Sequence, residues 1–204
     1  MTKIHVHNIS KRFKQKTVFQ DLSLTLEGGK IYGVVGYNGS GKTVLLKCLC
    51  GLEPVTSGQI DIDGQVLGRD IQFLPSLGLI LETPGFLEAY SGFDNLKQLA
   101  LINGKIDDAT IREHLALVGL DPNSRQKVKH YSLGMKQKLA LAQAFMESPD
   151  VILLDEPMNG LDKQSVANIR QVLLDYRSKG RLILIASHLE QDIELLSDQV
   201  IHMS

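Results

Sequence analysis

The stretch KIYGVVGYNGSGKT, residues 30–43, limits what this chain can fold into more than any other segment. Its apolar start, KIYGVVG, reads as a buried strand. The continuation, GYNGSGKT at 36–43, fits the phosphate-binding loop G-x-x-x-x-G-K-[ST] in full. A helix follows from about Lys42 to Cys50 and stops at Gly51. Each position has a physical reason. Gly36, Gly39 and Gly41 let the backbone wrap a phosphate chain with its N–H groups turned inward. The helix aims its positive end at the same point. Tyr37, Asn38, Gly39, Ser40 and Gly41 are therefore candidate nucleotide-binding residues. Lys42 can reach the β and γ phosphates, and the Thr43 hydroxyl can ligate Mg²⁺.

VILLDEP, from Val151, is a short all-apolar strand of the kind covered on both faces in a parallel sheet. Asp155 at its end is the candidate holder of Mg²⁺, and Glu156 the candidate general base for water. LGLILETPGF, 77–86, is a second such exit: Leu79, Ile80 and Leu81 end a strand, and Thr83-Pro84-Gly85 turns away from it. Glu82 sits at that exit, where open α/β sheets place their chemistry.

The remaining pattern is strand and helix in alternation. Ile4 and Val6 share one strand face, with His5 and His7 on the other. VFQDLSLTLEGG alternates through Leu22, Leu24 and Leu26 and turns at Gly28-Gly29. GQIDIDGQVL reads as a hairpin with Asp63-Gly64 at its turn. Residues 92–118 are mainly helical, with Phe93, Leu96, Leu99, Ala100, Ile111, Leu115 and Val118 on the apolar face. DKQSVANIRQVLLDYRSKG is an amphipathic helix with Val166, Ile169, Leu173 and Tyr176 inward, and RLILIAS is another buried strand. The fold class that follows is α/β: a mainly parallel sheet core, an antiparallel β arm near the N-terminus and an inserted helical subdomain. We expect one domain over 1–204, with the core at about 1–82 and 149–204 and the helical part at about 83–148.

Composition removes several classes of function. Lysine plus arginine total 22 against 23 acids, so no whole-surface field favours nucleic acid, and none is expected as a partner. The local cluster Arg125, Lys127, Lys129, His130, Lys136 and Lys138 reads as a solvated face. Cys48 and Cys50 complete no metal or disulfide framework and read as reduced structural residues. MTKIHVHNISKRF lacks the apolar core of a signal peptide, and the longest apolar runs are too short to span a bilayer. A soluble, cytoplasmic chain is expected.

The two acidic and phosphate-loop motifs specify a nucleoside triphosphatase and no more. HYSLGMKQKLALAQAF, 130–145, narrows this, because Tyr131-Ser132-Leu133-Gly134-Met135 resembles the L-S-G-G-Q signature of ATP-binding cassette (ABC) ATPases. The resemblance covers essentially the whole chain in order. Phe13 matches the aromatic that stacks on adenine, although alone it reads more often as a core or hairpin aromatic. NGLD, 159–162, matches the D-loop, and His188 after LILIAS matches the switch histidine. TSGQIDIDG resembles the family's β-hairpin arm. Ser132 and Asp162 also have the chemistry of plain helix N-caps.

The resemblance implies ATP and Mg²⁺ as ligands, with Glu156, His188 and Lys42 catalytic. It implies a head-to-tail homodimer or paired cassette on ATP binding, because the family's signature cannot reach its own phosphate loop. Ser132, Gly134 and Asp162 would then meet nucleotide held by the other subunit. A separate transmembrane permease would place the chain on the inner face of the membrane. A cofactor-assembly ATPase is the alternative; a P-loop small-molecule kinase has no use for the signature, D-loop and His188 together. LETPGF with YSLGMKQKLALA resembles the bacitracin- and lantibiotic-resistance branch of exporters, in which a glutamate replaces the usual Q-loop glutamine. Glu82 is that residue, a third expected metal ligand beside Thr43 and Asp155. Its extra charge should raise the neighbouring carboxyl pKa values without metal and strengthen dependence on Mg²⁺. Two departures stand out. Leu133 replaces a signature glycine. Val44 replaces a hydroxyl at the α-phosphate, worth about 1 kcal/mol of nucleotide affinity.

Overall fold

The computed structural model describes residues 1–82, 85–188 and 190–203. The expected turn at Thr83-Pro84 lies outside the described residues. Two sheets contribute to one shared core. The first is antiparallel, in the order β2-β1-β4-β5, from β1 (Lys3–Phe13), β2 (Lys16–Glu27), β4 (Ser57–Ile62) and β5 (Gln65–Val66). The second is parallel, in the order β6-β7-β8-β3-β9, from β3 (Ile31–Val35), β6 (Leu77–Ile80), β7 (Val151–Asp155), β8 (Leu182–Ser187) and β9 (Gln199–His202). Helices are α1 (Lys42–Cys50), α2 (Gly92–Asn103), α3 (Asp108–Leu117), α4 (Leu133–Phe145), α5 (Lys163–Ser178) and α6 (Glu190–Leu196).

The all-apolar strands are explained by two-sided burial. Along β7, Ile152 and Leu154 face one core, with α4 and α5, while Val151 and Leu153 face another, with α1 and the antiparallel sheet. Ile183 and Ile185 of β8 divide from Leu182, Leu184 and Ala186 in the same way. A strand covered on both faces needs no polar alternation. The β4–β5 hairpin turns at Asp63-Gly64, both with positive φ.

β1 runs farther than its alternation suggests. Ile4 and Val6 are buried, then Ile9 and Lys11, so the buried parity changes from even to odd. The register shift between Val6 and Ile9, with Asn8 at φ 46°, inserts the extra β1 residue that makes the change. α6 and β9 had no clear periodic signal; β9 is a four-residue edge strand held by β3.

The parallel sheet brings the carboxyl ends of β3, β7 and β8 side by side. The phosphate loop, the acids and His188 follow those three strands directly. The fold therefore gathers distant residues at one edge.

Candidate active site

The loop after β3 leads into α1 through Gly39 and Gly41, at φ 88° and 98°. At Gly41 a side chain would also strike Val18, 2.5 Å away, so glycine is required by conformation and by space. α1 has no side-chain N-cap and no acid in its first turn. Its free N–H groups and positive end are thus directed at the loop. Lys42 is buried, and its Nζ donates to Gly36 O at 2.7 Å and Tyr37 O at 3.2 Å. The ammonium is held inside the loop by carbonyls that a phosphate can replace. Tyr37, Asn38 and Gly39 are exposed, whereas Ser40 is buried. Ser40 Oγ has no hydrogen-bond partner among the described residues. A buried hydroxyl left unpaired costs about 1–3 kcal/mol, which an incoming phosphate oxygen relieves.

Thr43 Oγ1 donates to Asp155 Oδ2 across the base of the same cleft. Burial pushes the Asp155 carboxyl above its usual range; the Thr43 bond opposes this, and the charges of Glu156 and Glu82 add to it. A buried carboxylate that resists ionising beside a hydroxyl is a hard oxygen pair suited to a divalent cation, whose charge reverses the penalty. The residues present fit Mg²⁺.

Glu156 follows β7 with φ 49°, a conformation L-residues rarely adopt, and its N–H donates to Ala186 O of β8 at 2.8 Å. That twist turns the side chain toward the end of β8. Oε2 accepts from Ser187 Oγ at 3.1 Å, and Oε1 accepts from the His188 N–H at 2.9 Å. His188 Nδ1 lies 2.8 Å from the same Oε1. The carboxylate and imidazole thus form a pair at the adjoining ends of β7 and β8. Gln137, a buried polar residue of α4, donates to Pro157 O at 3.0 Å and Glu156 O at 3.4 Å. Sequence reasoning passed over Gln137, which stands between Lys136 and Lys138 and carries no apolar signal of burial.

A cleft of about 400 Å³ runs from Phe13 past Val44, Thr43 and Lys42 to Asp155 and Glu156. Phe13 is exposed at the far end, where it forms one wall. Val44 lines the cleft without a hydroxyl. A larger groove, about 760 Å³ between α1, the β4–β5 hairpin and 67–72, contains no phosphate-loop residue.

Ser132, Gly134 and Asp162 do not line this cleft. Ser132 caps α4, its Oγ accepting from Met135 N at 3.2 Å. Asp162 caps α5, accepting from Ser165 N at 2.9 Å and Ser165 Oγ at 2.7 Å, bonds that hold its carboxyl below the ordinary range. A Cβ on Gly134 would lie 2.6 Å from Gly160 O, so only glycine lets the signature turn rest on the 159–162 turn. Leu133, the departure from the signature, lies beside Gly160 and is exposed, leaving the helix start intact.

Glu82 has a partner that the sequence does not announce. Its side chain is largely exposed and pairs with Lys47 of α1 at 2.6 Å, while its charge still adds to that at Asp155. The Lys47 bond holds the Glu82 carboxyl below its usual range, so the expected upward shift is found at Asp155 and not at Glu82. A cation four residues along α1 from Thr43 thus offsets part of the additional negative charge. Among the described residues no cluster of three or more His, Cys, Asp or Glu forms a metal cage. The basic cluster is a surface feature, with Arg125, Lys127, Lys129 and His130 exposed. Cys48 and Cys50 are free and buried, and burial pushes the Cys48 thiol up to about 12.

Comparison with known proteins agrees with this geometry. The sequence profile of the ABC transporter family matches residues 19–159. An uncharacterized ABC transporter ATP-binding protein of Bacillus subtilis (strain 168), YybJ, is 44% identical over 201 residues, 98% of this chain and 92% of the relative. The lantibiotic transport ATP-binding protein SrtF of Streptococcus pyogenes is 34% identical over 195 residues, 96% of this chain and 84% of the relative. The bacitracin transport ATP-binding protein BcrA of Enterococcus faecalis is 37% identical over 199 residues, 97% of this chain and 65% of the relative. A solved ATP-binding subunit of an ABC transporter matches with a TM-score of 0.86 at 26% identity, over 98% of this chain and 85% of that one. This chain belongs to the ABC transporter family, as an ATP-binding subunit of the kind that hydrolyses ATP to drive transport through a membrane permease.

Proposed function

We propose that this subunit works as an ATP-driven dimer that powers a separate permease in export of, or immunity to, an antimicrobial peptide. One observation carries the dimer: the cleft holds the phosphate loop, Asp155 and Glu156, with His188 bonded to Glu156, while Ser132 and Gly134 start a helix outside it. Two-fold pairing would bring that helix start to a partner's nucleotide. ATP would favour the closed pair, and hydrolysis would release it.

Within each site the adenine rests on Phe13 and the phosphates on the loop. Lys42 turns from its carbonyl partners to the β and γ phosphates, and Ser40 Oγ gains the partner it lacks. Thr43 and Asp155 would hold Mg²⁺, which supplies positive charge to the phosphate oxygens. Water attacks the γ-phosphorus, the bond to the bridging β–γ oxygen breaks, and Glu156 takes the water's proton. His188, bonded to the same carboxylate, keeps Glu156 aimed and offers a contact to the γ-phosphate. The products are ADP and phosphate. Glu82 stays paired with Lys47 and adds no ligand to the nucleotide-free site.

The peptide assignment draws on the SrtF and BcrA relatives and on the glutamate at the Q-loop position. No helix among the described residues is long and apolar enough to cross a membrane; in this reading the permease supplies the attachment. The test is to recover this chain from membranes with and without the neighbouring permease gene. We expect attachment only with the permease, and greater sensitivity to a lantibiotic or to bacitracin when both are deleted. Unchanged sensitivity to such peptides overturns the cargo; a chain that never binds membranes overturns transport.

A further inference from the structure

Two lysines are buried among the described residues, Lys42 in the phosphate loop and Lys11, to which nothing above gives a role. Lys11 continues the buried row of Ile4, Val6 and Ile9, where an apolar side chain would cost less. Its ammonium is compensated on several sides. Nζ donates to Glu53 Oε1 and to Pro54 O, both at 2.6 Å. It also lies over the ring of Phe13, 4.6 Å from the centroid. Residues two apart on a strand share a side, which sets Lys11 under its neighbour.

We propose that Lys11 is a positioning residue for the nucleotide base. The proposal rests on the reading of Phe13 as the adenine platform. Phe13 is half exposed and walls the cleft, whereas Lys11 is buried and does not line it. The cation therefore covers the ring from the protein side and leaves the cleft side open. Attraction between a cation and a ring face fixes the ring's orientation before the base arrives, so less freedom is lost on binding. The anchor matters as much as the charge. Glu53 and Pro54 leave the carboxyl end of α1, whose amino end is the phosphate loop. Through Lys11, one helix thus positions both the base end and the phosphate end of the nucleotide.

The test compares ATP with inorganic tripolyphosphate, which lacks a base, by calorimetric titration without turnover in EDTA. We expect Lys11→Met to weaken ATP about fivefold, with tripolyphosphate unchanged and Lys11→Arg restoring ATP affinity. Phe13→Ala serves as the reference. If Phe13→Ala leaves ATP binding unchanged, the platform reading fails. If Phe13→Ala weakens ATP and Lys11→Met does not, the Lys11 proposal alone is overturned. Equal losses for ATP and tripolyphosphate also overturn it, because a general loosening would act on both. Should Lys11→Met not fold, Glu53→Ala removes the side-chain anchor while keeping the ammonium, and the same base-selective loss is required of it.

Discussion

Glu156→Gln lowers ATP turnover by about 10²–10⁴-fold while nucleotide binding survives. The amide oxygen can still accept from the His188 N–H, now 2.9 Å from Glu156 Oε1, and the amide nitrogen can donate to Ser187 Oγ, now 3.1 Å from Oε2. Geometry at the end of β7 is thereby kept, including the backbone bond to Ala186 O. What is lost is the capacity to take a proton from water. The measurement is phosphate release under saturating ATP, beside a titration of nucleotide affinity. A loss in affinity equal to the loss in rate would mean that Glu156 organises the cleft and is not the base.

Lys42→Ala is the second large effect, with nucleotide affinity falling by roughly two orders of magnitude and turnover with it. Lys42 is a buried cation, and its two carbonyl partners in the loop are easily resatisfied by water. The stability of the nucleotide-free protein should therefore fall by only about 1 kcal/mol. That contrast separates a phosphate ligand from a structural strut. Denaturant titration without nucleotide and calorimetry with ATP measure the two sides. A stability loss with ATP affinity retained would assign Lys42 to the loop's architecture alone.

Much of this protein is legible in its sequence because its defining signals are local. The phosphate loop lies between one apolar strand and one helix, and α1 runs from Lys42 to Cys50 as its pattern predicts. The parallel strands carry their all-apolar runs because both faces are covered. Side-chain partnerships across the chain are less legible. Lys47 and Glu82 stand 35 residues apart, and no periodicity announces that one pairs with the other. The shift of buried parity along β1 conceals Lys11, since a bulge resets the period-two rule and the row then ends on a charge. Gln137 was hidden because a helix position is judged by its face, whereas its partners are carbonyls of another segment. β9 is short, and its identity comes from pairing with β3.

The central claim is that ATP joins two copies of this chain through sites each copy only half supplies. The most direct measurement is the molar mass of the Glu156→Gln protein by light scattering, with and without ATP and Mg²⁺. The account predicts the 22.6 kDa monomer without nucleotide and a species of twice that mass with it. A 22.6 kDa species persisting at saturating ATP, with binding verified by titration, would contradict it.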